Sequence, residues 1–220
     1  MMLPEMKAAI FDLDGVLLDS MDIWVDVDKE FFEMHGMDYT PEISKHLSTL
    51  NMEQGAKYMI NDFQLDLTVD EVMKQLLDIV MDMYLHDIDV KPGVLELLEL
   101  ISKQGIPIGL ATSNTHELVG ASLKAHGLNH FFKAVVTCND VGADKGSTKV
   151  YDRCCEIMDA DIAQTYVFED SLHAIATLNE SDYITVGVYD PYSEVEQYMI
   201  EEISDIYVKD LNDFIKKMKI

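Results

Sequence analysis

The chain has 220 residues, 41 of them acidic and 16 basic, for a net charge of −25 at neutral pH. That balance excludes a nucleic-acid or anionic-membrane surface, because phosphates would be repelled, so neither is expected as a partner. With 48% hydrophobic residues the chain can bury a core despite its charge, and no run approaches the roughly 18 apolar residues of a membrane span.

The first ten residues lack the charged-then-apolar layout of a signal peptide. Three cysteines, Cys138 and the adjacent Cys154 and Cys155, make no disulfide framework. A reduced, cytoplasmic protein is the expectation. The first predicted element is a strand over 7–11, running into Asp12-Leu13-Asp14-Gly15-Val16. A strand's period of two puts Asp12 and Asp14 on one side, at the rim where open α/β sheets bind ligands. Two carboxylates so close raise each other's proton affinity unless a cation sits between them.

From 16 to 91 no strand is predicted. Ile23, Val27, Phe31 and Met34, and later Val72, Leu76, Ile79, Val80 and Met83, recur with helical period, with turns expected near 36–38 and near Asn61-Asp62. These 76 residues are far too many for a crossover helix. They predict an all-helical domain, residues 16–91, inserted into a core made of 1–15 and 92–220. The insert holds 17 acidic and 5 basic residues. Within it Trp24, Phe31 and Phe32 read as packing residues. His46, Asn51, Gln54 and Lys57 are candidates for reading a substrate.

Beyond the insert, Pro92 and Gly93 open a helix with Leu95, Leu98 and Ile101 as its buried stripe, and Gly105 ends it. A strand over 106–111 delivers Thr112, Ser113 and Asn114, a source of hydroxyl and backbone N–H donors. A helix over 116–126 stops at Gly127, and a strand over 134–137 precedes Lys145 and a helix over 147–158. A strand over 166–168 ends in a second acidic pair, Glu169-Asp170, with Ser171 as the cap of a further helix. Strands over 184–188 and, more weakly, 206–208 complete the series. Short β-branched runs alternating with helical stretches predict an α/β fold with a Rossmann-like parallel sheet.

Two strand-end acidic pairs on one sheet suggest a hard-cation site, since Mg²⁺ prefers carboxylate oxygens and keeps positions open for water and a phosphate. One carboxylate can then attack phosphorus while a second trades protons with the leaving group and with water. The hydroxyl and amides at 112–114 and the Lys145 ammonium can neutralise the transferring group.

Asp12-Leu13-Asp14-Gly15-Val16, Leu110-Ala111-Thr112-Ser113-Asn114, Lys145 and Phe168-Glu169-Asp170-Ser171 resemble, in order, the four motifs of the haloacid dehalogenase superfamily. The insert resembles the helical cap of the branch holding β-phosphoglucomutase and many sugar-phosphate phosphatases, and the resemblance spans essentially the whole chain. It implies Asp12 as nucleophile and metal ligand, and Asp14 as general acid/base lending its backbone carbonyl to Mg²⁺. It implies Thr112, with the amides of Ser113 and Asn114, as the phosphoryl-oxygen grip, and Lys145 as the neutralising cation. Asp170, with Glu169, completes the implied metal site.

The implied activity is Mg²⁺-dependent hydrolysis of a small phosphorylated metabolite, a sugar phosphate, through an aspartyl-phosphate. The alternative is a β-phosphoglucomutase-like phosphomutase, which must grip a second phosphate, work that Arg does best. The chain's single arginine is Arg153, outside the insert, which favours hydrolysis. Two departures from the family pattern stand out. Gly146, Ser147, Thr148 and Lys149 follow Lys145 where prolines and an Asp are usual, and Ala174 replaces a common Gly.

Overall fold

The computed structural model describes residues 5–48, 50 and 52–218. Contacts divide the chain into two compact units, Met1–Ser20 with Ile88–Ile220, and Met21–Asp87.

The first unit is built on a six-stranded parallel sheet of β1 (Ala8–Phe11), β2 (Ile108–Thr112), β3 (Phe132–Thr137), β4 (Thr165–Glu169), β5 (Ile184–Val188) and β6 (Ile206–Val208), in the order β3-β2-β1-β4-β5-β6. Strands β1, β2, β4 and β5 are buried along their whole length, as a parallel sheet covered on both faces requires. On one face α8 (Lys149–Met158) lays Val150, Tyr151, Cys154, Cys155 and Met158 onto β1, β2 and β3. Elsewhere Phe11 stacks on Phe168 at 4.2 Å, and Phe214 of α11 (Leu211–Met218) meets Phe168 edge-on at 4.8 Å. Because β1 is flanked by β2 and β4, chain order reverses at β1, and the crevice beyond its carboxyl end is where such sheets bind ligands.

Helix α5 (Val94–Lys103) begins after Gly93, whose φ of 86° is left-handed and whose missing side chain makes room for the backbone of Asn212. Leu95 does not belong to its buried stripe and is 49% exposed. Val94, Leu97, Leu98 and Ile101 form the stripe instead, because their i, i+3, i+4, i+7 spacing fits one helical face better. The stretch after β1 folds back on itself. Leu18 bridges to Asp14 and to Val90, Lys91 N–H donates to Leu17 O at 2.9 Å, and Asp19 N–H donates to Asp89 O at 3.0 Å. The second unit's bounds, 21 and 87, therefore lie inside the 16–91 expected from sequence. The remaining helices of the first unit are α6 (His116–Ala125), the short α7 (Cys138–Val141), α9 (Leu172–Leu178) and α10 (Gln197–Ile203).

The second unit consists of α1 (Ile23–Met34), α2 (Pro41–Leu47), α3 (Met52–Phe63) and α4 (Val69–His86). Helix α4 opens with a capping box in which Thr68 and Glu71 satisfy each other's backbone N–H groups, and it packs on α1 and α3 through Val72, Leu76, Ile79, Val80 and Met83. Met34, placed on the stripe of α1 by its period, is 61% exposed, and Trp24 is half-exposed, while Phe31 and Phe32 are fully buried. The turn expected near Asn61-Asp62 comes just after them. Both residues lie on the exposed face of α3, and the chain turns after Phe63, where Gln64 takes a φ of 54°. Among the described residues no helix is long and apolar enough to cross a membrane.

Candidate active site

The pairing of β1 with β4 continues one residue past β1, where Asp12 N–H donates to Phe168 O at 3.0 Å. Parallel register therefore sets Asp12 beside Glu169 and Asp170 at the carboxyl ends of adjacent strands. One carboxylate oxygen from each of the three lies within 4.8 Å of the others, and all three residues are buried. Lys145 reaches this cluster from the loop ahead of α8. Its Nζ is 2.6 Å from Asp12 Oδ1 and 2.6 Å from Glu169 Oε1. Lys149, the first residue of α8, is exposed, so Lys145 is the one that enters the cluster.

Asp14 is turned to other partners. Ser20 Oγ donates to Asp14 Oδ1 at 2.6 Å, and Asn114 Nδ2 donates to Oδ2 at 2.5 Å. Asn114, expected to contribute a backbone amide, thus also contributes its side chain, while its N–H donates to Thr112 Oγ1 at 3.1 Å. Thr112 is fully buried at the end of β2. Ser113 is exposed, with its hydroxyl 3.6 Å from Cys138 Sγ. Ser171 caps α9 as expected, accepting from Ala174 N–H. His173 is exposed, its ring filling the space where a side chain at Gly146 would stand. Of the proposed substrate-reading residues, His46 lies in α2, Gln54 in α3, and Lys57 in α3 paired with Glu53. Asn51 lies outside the described residues.

The electrostatics follow from burial. Desolvation pushes the Asp12 carboxyl well above its ordinary value, and the negative charges of Glu169, Asp170 and Asp14 push the same way against Lys145. Asp170 is raised to about 7, first by burial and then by Glu169. Burial alone would lower the Lys145 ammonium, but the two carboxylates it touches outweigh that and raise it, so it stays charged.

The cluster fits a divalent cation. Glu169 Oε2 and Asp170 Oδ2 are buried without a hydrogen-bond partner, an expensive state for carboxylate oxygens unless something positive meets them. Gly15, with φ of 74°, packs so closely on Asp170 that a side chain there would collide with its carboxylate.

Four neighbours of the cluster were not singled out from sequence. Tyr151 OH donates to Glu169 Oε1 at 2.8 Å from the face of α8. Ser20 holds Asp14, and Lys91 donates to Gly15 O at 2.7 Å and to Asp190 Oδ2 at 2.6 Å. Asp190 carried the same signal as Asp12, an acid just past a buried strand. The other three carried none.

The family model described as haloacid dehalogenase-like hydrolase matches residues 9–188, which include every carboxylate and lysine of the cluster. The chain belongs to this family of hydrolases. Among curated relatives, a phosphorylated carbohydrates phosphatase of Thermotoga maritima is 24% identical over 76% of this chain and 77% of its own. Hexitol phosphatase B of Escherichia coli is 21% identical over 97% of this chain and 96% of its own. Among solved structures, a candidate β-phosphoglucomutase from Thermotoga maritima superposes with a TM-score of 0.85 at 20% identity, covering 98% of this chain and 100% of that one. The haloacid dehalogenase-type protein YfnB of Bacillus subtilis, bound to magnesium, superposes with a TM-score of 0.78 at 16% identity, covering 99% and 100%. These structures establish the shared fold of the family.

Proposed function

We propose that this hydrolase is a Mg²⁺-dependent phosphatase of a small phosphorylated metabolite, in the class of sugar and polyol phosphates, acting through an aspartyl-phosphate. The observation that carries the reading is the Lys145 bridge between Asp12 and Glu169 beside the unpartnered oxygens of Glu169 and Asp170. The names of the phosphatase relatives support the substrate class, and the magnesium-bound YfnB supports the metal.

In this reading Asp12, with Oδ1 held by Lys145, attacks phosphorus with its carboxylate. An O–P bond forms to Asp12, the P–O bond to the alcohol breaks, and Asp14 gives its proton to the leaving alkoxide. Water then attacks the aspartyl-phosphate, Asp14 takes its proton, and the Asp12 O–P bond breaks to release inorganic phosphate. Ser20 and Asn114 keep Asp14 aimed through both steps. Thr112 and the Ser113 amide hold phosphoryl oxygens, the Asn114 amide being engaged by Thr112 Oγ1, and Lys145 offsets their charge. Asp12, Asp170 and Glu169, with the Asp14 carbonyl, would hold Mg²⁺, which supplies the charge neutralisation that five carboxylates against two buried ammoniums lack.

The test is phosphate release from p-nitrophenyl phosphate and from a panel of hexose and hexitol phosphates, with Mg²⁺ and after dialysis against EDTA. Turnover that needs Mg²⁺ supports the reading; full rates without it sink the metal assignment. Conversion of β-glucose 1-phosphate to glucose 6-phosphate without free phosphate would instead assign a mutase.

A further inference from the structure

We propose that Lys91, anchored by Asp190, is a positioning residue that fixes the peptide of Gly15 between Asp14 and Asp170. The inference rests on the roles given above to those two carboxylates.

The Lys91 side chain is mostly enclosed, with 10% of it exposed, and its partner Asp190 has 2%. An ammonium has three protons to place. Here they go to Asp190 Oδ2 at 2.6 Å, Gly15 O at 2.7 Å and Tyr189 O at 3.2 Å. Charge neutrality requires only the first. The bond to Gly15 ties the loop after β1 to the end of β5, and that end is itself rigid. Asp190 Oδ1 accepts from Tyr192 N–H at 2.9 Å, its carbonyl accepts from Gln197 Nε2 at 3.2 Å, and Tyr189 N–H donates to Val208 O of β6 at 2.9 Å.

Gly15 stands where displacement would cost most. Its N–H donates to Leu18 O at 3.0 Å and its left-handed φ admits no ordinary side chain. The Asp170 carboxylate occupies the space where its Cβ would stand. On the other side it is bonded to Asp14, whose carboxylate is held by Ser20 and Asn114. With Lys91 on its carbonyl, both peptide groups of Gly15 are fixed. Without Lys91 the Gly15 carbonyl loses its donor, and the loop is held at that point only by the backbone bonds of Gly15, Leu17 and Leu18, which loosens its hold on Asp14 and on the seat of Asp170. Lys91 touches neither the reacting carboxylates nor the proposed metal position, so its effect passes through Gly15.

The experiment compares wild type, Lys91→Met, and Lys91→Met/Asp190→Asn. The single variant strands a buried carboxylate and is expected to lower Tm; the double variant removes both charges and keeps the side-chain oxygen that accepts from Tyr192, so Tm recovers. Expected for the double variant is a kcat on p-nitrophenyl phosphate about 10- to 100-fold below wild type with KM within about twofold, the signature of misplaced machinery. In the metal-free protein the Gly15 amide, followed by NMR, exchanges about tenfold faster or more. Wild-type kcat and wild-type Gly15 exchange at a recovered Tm would reduce the pair to a structural ion pair and overturn the proposal. Should the double variant not fold, Lys91→Met/Asp190→Leu, which fills the space with apolar atoms, takes the same measurements. Should wild type hydrolyse no phosphomonoester, the proposed function fails, and Gly15 exchange still decides the positioning claim.

Discussion

In the helical unit Lys57 reaches Glu53 and Lys74 reaches Asp78 along single helices, with more than half of every side chain exposed. In the sheet unit Lys145 reaches Asp12 and Glu169, and Lys91 reaches Asp190, with no side chain more than 11% exposed. The chemical pairing is the same and the consequences differ. Exposed pairs on a helix are screened by water and contribute little. A buried charge costs several kcal/mol to desolvate and persists only while its partners remain, so such clusters are weak devices for stability and strong ones for chemistry. The net charge of −25 thus divides into a solvated part and a small buried part with a task.

The comparison breaks most sharply at Asp12. Asp12→Asn keeps the shape of the side chain but removes the nucleophilic charge, and phosphate release from p-nitrophenyl phosphate should fall by at least about 1,000-fold with the circular dichroism unchanged. An active, folded variant removes the nucleophile assignment. Next is Lys145→Met, which strands Asp12 and Glu169 without their ammonium. A loss of about 3–5 kcal/mol in urea unfolding is expected along with the activity; unchanged stability would mean the pair is not buried in solution.

Acidity sharpens the contrast further, because burial raises carboxyls in both units, Asp170 to about 7 beside Asp12 in the sheet unit and Asp28 to about 6 in the helical one. Both folded values lie above the ordinary value near 3.8, so each carboxyl contributes most to stability when protonated, and that contribution is lost as pH rises through the folded value. For Asp170 a cation reverses the sign by favouring the ionised form. Calorimetry should therefore find Mg²⁺ raising Tm more at pH 8 than at pH 6, and equal shifts would separate Asp170 from the metal. For Asp28, Asp28→Asn should raise Tm at pH 8 and leave it unchanged at pH 4; no gain at pH 8 contradicts the burial account. The smallest effect is expected at Lys57→Ala, where Tm should not move.

The strands along the chain and the strand-end carboxylates were legible because both are local signals. A β-branched run, a Gly and an acid placed at its carboxyl end can be read without neighbours. The bounds of helices were less so. Asn61 and Asp62 look like a turn in isolation, yet they sit on the solvent face of α3, where polar residues belong. Leu95 fits a stripe of its own spacing, but the register of α5 on the sheet selects Val94 and Leu97 instead. The contacts that orient the site were hidden for a different reason. Tyr151 meets Glu169 across 18 positions, Asn114 meets Asp14 across 100, and Lys91 meets Gly15 across 76. Only the folded register brings such pairs together, and a lone Tyr or Lys in the sequence reads as core or surface.

The most direct measurement is a crystal of the protein soaked in Mn²⁺ as a stand-in for Mg²⁺, with the ion located by its anomalous scattering. The account predicts a single strong peak about 2.0–2.3 Å from carboxylate oxygens of both Asp12 and Asp170, with Lys145 still on Asp12. No peak in that cluster, or one bound elsewhere while Glu169 and Asp170 stay unligated, would contradict it.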